Sequence, residues 1–341
     1  MELIVVGSQF VVCLAIIVIA GSRLAKYGDI IAVRTGLGHV WVGTVLLAAV
    51  TSLPELSTGI SSVAIVKIPN LTIGDLFGSN MFNLMTIAII DVLYRSGPVL
   101  RYVRTGIALT AAAGALLIAT AAAFIFLSQN LYSSGIFGYI GFYSLLLFCL
   151  YLVMQYFVTR FAMRNQKEED TSLLTHNGLS THRVYLYFAL AAVAVTGAGI
   201  WLGVIGEEII GVTGLSASVV GTLFLALATS APEIVVSISA LRMGSPDLAV
   251  ANLVGSNLFN MGVIIFVDDL FYIEGPIWSS INTGHIFSAL VAVIMSLVII
   301  ITLVYRPTGP LRRIWVGIDA FVLVSLFVGA YLVLFLIGNP R

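Results

Sequence analysis

The amino-acid sequence predicts an all-α polytopic membrane protein with ten transmembrane helices in two inverted five-helix repeats. The chain has 341 residues, of which 60% are hydrophobic and only 9% are charged, and its mean hydropathy is +1.08. Soluble domains carry about 25% charged residues, so a large surface in water is excluded and a lipid bilayer is the expected surrounding. The formal net charge of +0 offers no electrostatic attraction to nucleic acid. Two further observations, ten long apolar stretches and a duplicated polar string, complete the prediction.

Ten apolar stretches are each long enough to cross the hydrocarbon core of a membrane, which takes about 20 helical residues. They are predicted at 3–22, 37–66, 71–93, 105–127, 137–159, 184–205, 215–241, 247–271, 284–305 and 314–337. The first five form a predicted first repeat over residues 1–160, and the last five form a second repeat over residues 184–341. Residues 161–183 are a predicted cytoplasmic linker, too short to hold a folded regulatory domain. The first stretch lacks a basic segment before it, so we expect it to be a retained span and not a cleaved signal peptide.

Lysine and arginine residues predict the orientation, because they are enriched in loops on the cytoplasmic side of a membrane. With the N-terminus outside, the outer segments hold only Lys67 and Arg341, and the inner loops hold the rest. Both termini are therefore predicted outside. Because each repeat has an odd number of spans, the second repeat crosses the membrane upside down relative to the first, as in many secondary transporters. The outer segments are also expected to attract cations through their acidic residues: Glu207, Glu208, Asp268, Asp269 and Glu274.

The same polar string occurs twice inside apolar surroundings. The first copy reads TSLPE from Thr51 to Glu55 and the second reads TSAPE from Thr229 to Glu233, an offset of 178 residues. Another string, GSNMFN at residues 78–83, recurs as GSNLFN at residues 255–260, at an offset of 177 residues. Helix packing could explain one such string, but it is a poor explanation for two strings in the same order in both halves. The duplication therefore predicts a transport site between the repeats, near the middle of the membrane.

The repeated residues offer oxygen atoms as ligands. Glu55 and Glu233 lie within apolar segments, where an ionisable side chain is costly and usually functional. Each follows a proline that breaks or kinks its helix and frees backbone carbonyl groups. A threonine and a serine precede each glutamate by four and three residues: Thr51 and Ser52, and Thr229 and Ser230. In each GSN string a serine and an asparagine are four residues apart: Ser79 and Asn83, and Ser256 and Asn260. Such spacings place side chains on one helical face. Oxygen-only sites suit hard cations such as Ca²⁺, Na⁺ and Mg²⁺, so no transition-metal centre and no bound cofactor are expected.

These strings resemble the two alpha-repeats of the cation/calcium antiporter superfamily, and the chain is similar to a compact microbial sodium/calcium exchanger. The resemblance covers essentially the whole chain, because the span count and the central linker also fit. It implies that the second, third, seventh and eighth spans surround the transported ions, Ca²⁺ and Na⁺. It also implies twelve ligand positions, the alanines acting through their backbone carbonyl groups: Ala48, Thr51, Ser52, Glu55, Ser79, Asn83, Ala226, Thr229, Ser230, Glu233, Ser256 and Asn260.

One feature departs from the pattern of the superfamily. Many similar exchangers carry an acid at one of the two carboxamide positions, whereas this chain has asparagine at both, so the predicted core holds two carboxylates. Asp75 is expected toward the outer mouth, outside the repeated core, as a partner of a helix start, with a cation entrance site as the alternative. Asp319 is expected to pair with Arg312 or Arg313 instead of binding an ion.

These features predict a secondary active antiporter that exchanges Ca²⁺ for Na⁺ by alternating access across a microbial plasma membrane. Exchange of Ca²⁺ for H⁺ is the nearest alternative, because burial disfavours the charged form of a carboxyl group and both glutamates could carry protons. The neighbouring hydroxyl groups are ready Na⁺ ligands and favour sodium. A passive cation channel is a third hypothesis, although channels usually repeat around a pore as oligomers. An enzyme is not expected, because the metalloprotease string H-E-x-x-H is absent and the membrane centre has glutamates instead of paired aspartates.

Overall fold

The structure, a computed structural model, describes residues 2–35, 45, 47–130, 135–136, 140–164, 180–305 and 317–338. Within these ranges the chain is almost entirely helical, as predicted. The departure is one pair of two-residue antiparallel strands, β1 Gly135–Ile136 and β2 Ile140–Gly141, with Gly135 opposite Gly141.

Fourteen α-helices make up the described part of the chain. They are α1 Glu2–Thr35, α2 Ala48–Thr51, α3 Leu53–Ile60, α4 Pro69–Leu93, α5 Ile107–Asn130, α6 Phe142–Arg164, α7 Thr181–Thr213, α8 Ala217–Val220, α9 Ala226–Thr229, α10 Ala231–Arg242, α11 Pro246–Phe259, α12 Ile265–Phe271, α13 His285–Tyr305 and α14 Ile318–Gly338. Three π turns continue helices at Ser61–Ile65, Gly221–Leu225 and Asn260–Ile264, and two 3₁₀ turns lie at Val99–Arg101 and Ile277–Ser280.

Nine segments of the described chain are long and apolar enough to cross a membrane. They are Glu2–Gly28, Pro69–Leu93, Ile107–Gln129, Phe142–Ala162, Thr181–Thr213, Ala217–Arg242, Pro246–Phe271, His285–Tyr305 and Ile318–Leu336. The predicted span 37–66 is not among them, since residues 36–44 and 46 lie outside the described ranges. Its remaining part is helical from Ala48 to Ile65 except at Ser52. The structure thus supports nine of the ten predicted spans and the second half of the remaining one, 37–66.

Two helices are longer than predicted. Helix α1 continues to Thr35, beyond the expected end at residue 22, and α7 continues to Thr213, beyond the expected end at residue 205. The two helices pack against each other, and at one end the Tyr27 and Tyr187 rings lie 5.4 Å apart, centroid to centroid. These tertiary contacts hold the more polar helix ends that a hydropathy pattern assigns to loops. Helix α6 instead begins later than the predicted residue 137, because the strand pair occupies the residues before it.

The surface of the bundle is apolar, unlike the surface of a soluble protein. Large apolar side chains cover the outside of the bundle, including Ile4, Ile301 and Phe321, which are 77%, 62% and 73% exposed. The two spans that carry the GSN strings, α4 and α11–α12, are the most enclosed and have many buried polar side chains. A lipid-facing exterior around a polar interior is what a bilayer requires of a transport protein.

A second sequence repeat, D-x-x-Y-x-x-G-P, follows each GSN string and ties the two halves together. Asp91 accepts hydrogen bonds from the backbone of Val99, at 2.5 Å, and of Gly317, at 2.7 Å. Its counterpart Asp269 accepts them from Ile277, at 2.8 Å, and Gly141, at 2.6 Å. Each aspartate therefore holds its own loop and the start of the last helix of the other half.

The prediction that Asp268 and Asp269 lie in an outer segment and attract cations there is wrong, because both side chains are fully buried. Backbone amides take up both oxygens of Asp269, and Asp268 packs against α3 and α4. Glu207 and Glu208 are exposed as expected, and Glu274 forms an ion pair with Lys67 at 2.9 Å.

Single-residue differences between the repeats coincide with π turns, which accommodate one extra residue within a helix. From Glu55 to Asn83 the first half has one residue more than the second, and it contains the π turn Ser61–Ile65. From Asn260 to Asp269 the second half has one residue more than the first, and it contains the π turn Asn260–Ile264. These turns explain why the offset changes from 178 to 177 and back to 178.

Candidate functional site

Each TS-x-PE string forms a break between two helices. Helices α2 and α3 are separated at Ser52, and α9 and α10 are separated at Ser230. Proline is tolerated at the start of a helix, where its missing N–H group is not needed, so α3 and α10 begin around the prolines of the strings. Glu55 and Glu233 consequently lie in the first turns of their helices. The positive end of the helix dipole faces these carboxylates.

All twelve predicted site residues are described and buried, and none is more than 1% exposed. The structure brings them together through contacts that cross between the halves. The hydroxyl oxygen of Thr51 lies 3.4 Å from that of Ser256, and the hydroxyl oxygen of Thr229 lies 3.1 Å from that of Ser79. Because Thr229 and Ser79 are the counterparts of Thr51 and Ser256, the same contact is made twice.

The two carboxamides are held by a pair of asparagines that the sequence reasoning did not select as site residues. Asn83 Nδ2 donates to Asn257 Oδ1 at 3.0 Å, and Asn260 Nδ2 donates to Asn80 Oδ1 at 3.3 Å. Asn257 Nδ2 in turn donates to the backbone oxygen of Asn80 at 3.2 Å. Asn80 and Asn257 recur within the GSN strings, which marks them as candidate site residues, but only the structure shows that they position Asn83 and Asn260.

Several oxygen atoms of the site are buried without a hydrogen-bond donor. They are both carboxylate oxygens of Glu55, Oε2 of Glu233, the hydroxyl of Ser230, and Oδ1 of Asn83 and of Asn260. The other oxygen of Glu233 accepts from Ser52 at 3.3 Å and from Ser256 at 3.5 Å. Buried polar atoms in proteins are nearly always satisfied, so a group of bare acceptors at one place indicates a site for a cation.

The alanine carbonyl groups border the helix breaks. The oxygen of Ala48 accepts from the backbone of Ser52 at 3.0 Å, and the oxygen of Ala226 accepts from the backbone of Ser230 at 3.1 Å. Each oxygen also accepts a longer hydrogen bond from a threonine hydroxyl, Ala48 from Thr51 at 3.4 Å and Ala226 from Thr229 at 3.5 Å. Their role as ligands stays a prediction.

The placement predicted for Asp75 is wrong. Its side chain is fully buried in the interior of α4, where its Oδ1 accepts from Thr229 at 2.9 Å and from Ser79 at 3.4 Å. The counterpart, Asn252, makes the equivalent contact, because its Oδ1 accepts from Thr51 at 3.4 Å. Both residues bond to hydroxyl groups of the other half, so the repeated core extends one turn further along α4 and α11 than predicted.

Other acidic groups do not converge on one point. Among the described residues, no group of three or more His, Cys, Asp or Glu side chains is arranged to hold a metal ion. The bare buried acceptors of the site are carboxylates, carboxamides and a hydroxyl group, and their binding of hard cations stays a prediction. The expected partners of Asp319, Arg312 and Arg313, lie outside the described residues.

Glycines bring α4 into backbone contact with the segment before α9. A Cβ atom at Gly78 would lie 2.6 Å from both the carbonyl oxygen of Thr222 and the Cβ of Ala226. A Cβ at Gly74 would lie 2.8 Å from the carbonyl oxygen of Ser218. Small residues permit such close approach of membrane helices, and here they place Ser79 beside Thr229.

Gly78→Val is expected to destabilise the protein, because the added atoms must push α4 away from a backbone that cannot move independently. Overpacking of this kind costs about 1–3 kcal/mol or more. The thermal unfolding midpoint of the purified protein measures it. The matched control is Gly197→Val on α7, where a Cβ would meet no atom within 4 Å. Equal midpoints for the two variants would contradict the packing described here.

The fold and the buried polar residues together define a class of protein, a polytopic membrane protein with a cluster of bare oxygen acceptors in its interior. Comparison with known proteins gives the family. The chain matches the sodium/calcium exchanger protein family over residues 6–157 and 183–337, and it therefore belongs to that family. The resemblance seen in the two strings is confirmed, and the family is one of transporters and not of enzymes.

Individual relatives are more distant. Sodium/calcium exchanger MaX1 of Methanosarcina acetivorans is 35% identical over 124 residues, which are 36% of this chain and 33% of MaX1, so the match spans about a third of that relative. Inner membrane protein YrbG of Escherichia coli is 24% identical over 262 residues, 75% of this chain and 76% of YrbG. A structure of the sodium-calcium exchanger NCX_Mj soaked with Na⁺ and Sr²⁺ aligns with a TM-score of 0.64 at 19% identity, over 97% of this chain and 98% of that chain. This last likeness shows the fold.

Proposed function

We propose that this chain is a secondary active antiporter that exchanges Ca²⁺ for Na⁺ across the plasma membrane of a microbe. The observation that carries the proposal is the set of buried acceptor oxygens without donors around Glu55 and Glu233. A dehydrated Ca²⁺ or Na⁺ ion needs several oxygen ligands, and these atoms are available without breaking an existing hydrogen bond. The names of MaX1 and NCX_Mj as sodium/calcium exchangers support the choice of ions.

In this proposal the site lies between two inverted repeats, residues 1–160 and 184–341, joined by the cytoplasmic linker 161–183. The contacts made twice between Thr51 and Ser256 and between Ser79 and Thr229 support a two-fold relation of the halves. The distribution of lysine and arginine supports both termini outside. The twelve predicted ligands, from Ala48 to Asn260, take part in binding Ca²⁺ and Na⁺ in turn as the site opens to either side.

Sodium is preferred over protons as the counter-ion because hydroxyl groups dominate the surroundings of both carboxylates. Ser52 and Ser256 already donate to Glu233, and Thr229 and Ser79 lie in contact at the equivalent place. Several hydroxyl oxygens can bind one Na⁺ ion together, whereas a proton on a glutamate needs only one hydrogen-bond acceptor. A group of hydroxyls therefore favours Na⁺. Exchange of Ca²⁺ for H⁺ is the alternative function that an experiment has to distinguish.

Purified protein in liposomes is expected to take up Ca²⁺ when a Na⁺ gradient is imposed at constant pH, and the rate is expected to depend on membrane potential. Exchange of three Na⁺ for one Ca²⁺ moves one net charge, whereas exchange of two H⁺ for one Ca²⁺ moves none. The measurement is Ca²⁺ flux with a Na⁺ gradient or a pH gradient, each with the potential clamped by K⁺ and valinomycin. Flux that follows the pH gradient, ignores Na⁺ and is insensitive to potential would replace sodium by protons in the proposal.

A further inference from the structure

Two more buried carboxylates lie next to the ion site, Asp75 on α4 and Asp268 on α12. Neither side chain is exposed. Asp75 uses one oxygen for Thr229 and leaves Oδ2 without a donor. Asp268 accepts from the hydroxyl of Thr72 at 2.5 Å through Oδ2 and leaves Oδ1 without a donor. Thr72 precedes Asp75 by three residues on the same face of α4, and the charge of Asp268 acts on Asp75, so the two carboxylates are neighbours.

Space for Asp268 is created by Gly59 on α3. A Cβ atom at Gly59 would lie 2.6 Å from both carboxylate oxygens of Asp268 and 2.8 Å from the hydroxyl of Thr72. Gly59 follows Glu55 by four residues, on the same face of the helix. Asp75 bonds to the predicted ligands Ser79 and Thr229, so the acid pair adjoins the ion site, on the side where α3 ends and α4 begins.

The equivalent place in the other half is neutral. The counterparts of Gly59, Thr72, Asp75 and Asp268 in that half are, in the same order, Ser237, Ala249, Asn252 and Ile90. Ser237 Oγ donates to the backbone oxygen of Ala249 at 3.1 Å and accepts from Asn252 Nδ2 at 3.4 Å. At this position the neutral groups form hydrogen bonds with one another. Two acids are thus not required for packing, and their presence in one half points to a function on one side.

The charges around the pair leave it without compensation. Among the described residues, no lysine or arginine forms an ion pair with Asp75 or Asp268, and the charged groups that act on them are the acids Glu55 and Asp269. Neighbouring carboxylates in a dry interior need a positive partner. The free oxygens of the pair, Oδ2 of Asp75 and Oδ1 of Asp268, are distinct from those of the two glutamates, so a cation at the pair has acceptor atoms of its own.

We propose that Asp75, Thr72 and Asp268 form a second site, for one monovalent cation, beside the Ca²⁺ site and on one side of it only. The proposal rests on the proposed cation exchange and adds a step to it. A cation held there offsets one of the two negative charges and occupies a position between the ion site and the nearer end of the bundle. Na⁺ is the occupant, held by the bare oxygens Oδ2 of Asp75 and Oδ1 of Asp268, and the experiment distinguishes it from a proton.

Asp268→Asn is the first test, because Asp268 contacts none of the twelve predicted ligands. Liposomes with the parent or the variant are compared in ⁴⁵Ca²⁺/Ca²⁺ self-exchange, which uses the Ca²⁺ site alone, and in Ca²⁺ flux driven by Na⁺ at constant pH or by a pH gradient without Na⁺. Self-exchange is expected to be unchanged, whereas driven flux is expected to fall by about fivefold or more, as for the loss of an electrostatic interaction of at least 1 kcal/mol. A fall in the Na⁺-driven flux is the result expected for Na⁺ at the pair, whereas a fall confined to the pH-driven flux would overturn the proposal.

Gly59→Ala provides a second variant that keeps both charges but displaces Asp268, and it should show the same pattern. Gly197→Ala, with nothing within 4 Å of the added atom, is its control. Unchanged driven flux in both Asp268→Asn and Gly59→Ala would overturn the second site, as would a parallel loss of self-exchange. If the parent itself moves no Ca²⁺ under either gradient, the proposed exchange fails, which is a different outcome.

Discussion

Replacing Glu55 or Glu233 by glutamine is expected to lower Ca²⁺ flux in liposomes by at least about 100-fold while the protein remains folded. Each change removes a negative charge that faces the ion in a buried site. At a separation of about 4 Å, one pair of unit charges interacts by about 4 kcal/mol at an effective dielectric constant of 20, and every 1.4 kcal/mol is about a tenfold change in affinity. Glutamine has nearly the same shape and keeps an acceptor oxygen, so the hydrogen bonds from Ser52 and Ser256 to position 233 can persist.

The control for the glutamate variants is Glu208→Gln, which removes an acid from the exposed end of α7. We expect it to transport like the parent, because a charge in water acts weakly on a distant buried ion. Size-exclusion profiles and unfolding midpoints should match among all variants. Normal flux in Glu55→Gln or in Glu233→Gln would show that the ion binds elsewhere.

Asn260→Leu is expected to reduce Ca²⁺ flux by at least about tenfold. It removes a buried oxygen that has no donor, and it leaves Oδ1 of Asn80 without the amide of Asn260. An unsatisfied buried acceptor costs about 1–3 kcal/mol, and the lost ligand adds to this. Asn83→Leu should behave alike, since Asn83 makes the equivalent bond to Asn257.

The matched variant is Asn260→Asp, which keeps a ligand oxygen of the same reach. We expect it to retain substantial flux, measured as initial ⁴⁵Ca²⁺ uptake at the same protein-to-lipid ratio. A leucine variant that transports as well as the aspartate variant would remove Asn260 from the ion site. The same result at Asn83 would extend that conclusion to both carboxamides.

The part of the site that could be predicted is the part that recurs. Polar side chains inside apolar spans stand out from their surroundings, and their duplication picked out ten of the twelve residues that the structure buries together, while the resemblance to a known superfamily added Ala48 and Ala226. Asn80 and Asn257 recur as well, but sequence does not show that they position Asn83 and Asn260 instead of facing an ion. That distinction depends on which helices meet across the halves.

The acids Asp75 and Asp268 could not be placed because neither has an acidic counterpart at the equivalent position, and each lies near the end of a span, where hydropathy predicts contact with water. Their burial follows from tertiary structure, since Gly59 opens a space for Asp268 and Thr229 supplies a donor for Asp75. The full lengths of α1 and α7 could not be predicted for the same reason. Helix pairing decides where these elements end, and a single-chain hydropathy pattern does not contain it.

The π turns at Ser61–Ile65 and Asn260–Ile264 have a consequence for how members of this family should be compared with one another. Each turn is a place where a one-residue gap can open or close in an alignment while the ligands on both sides keep their spatial positions. Gaps between relatives are therefore expected at these two segments and not within the TS-x-PE or GSN strings. An insertion in either segment would change the numbering of every later residue but preserve the cavity.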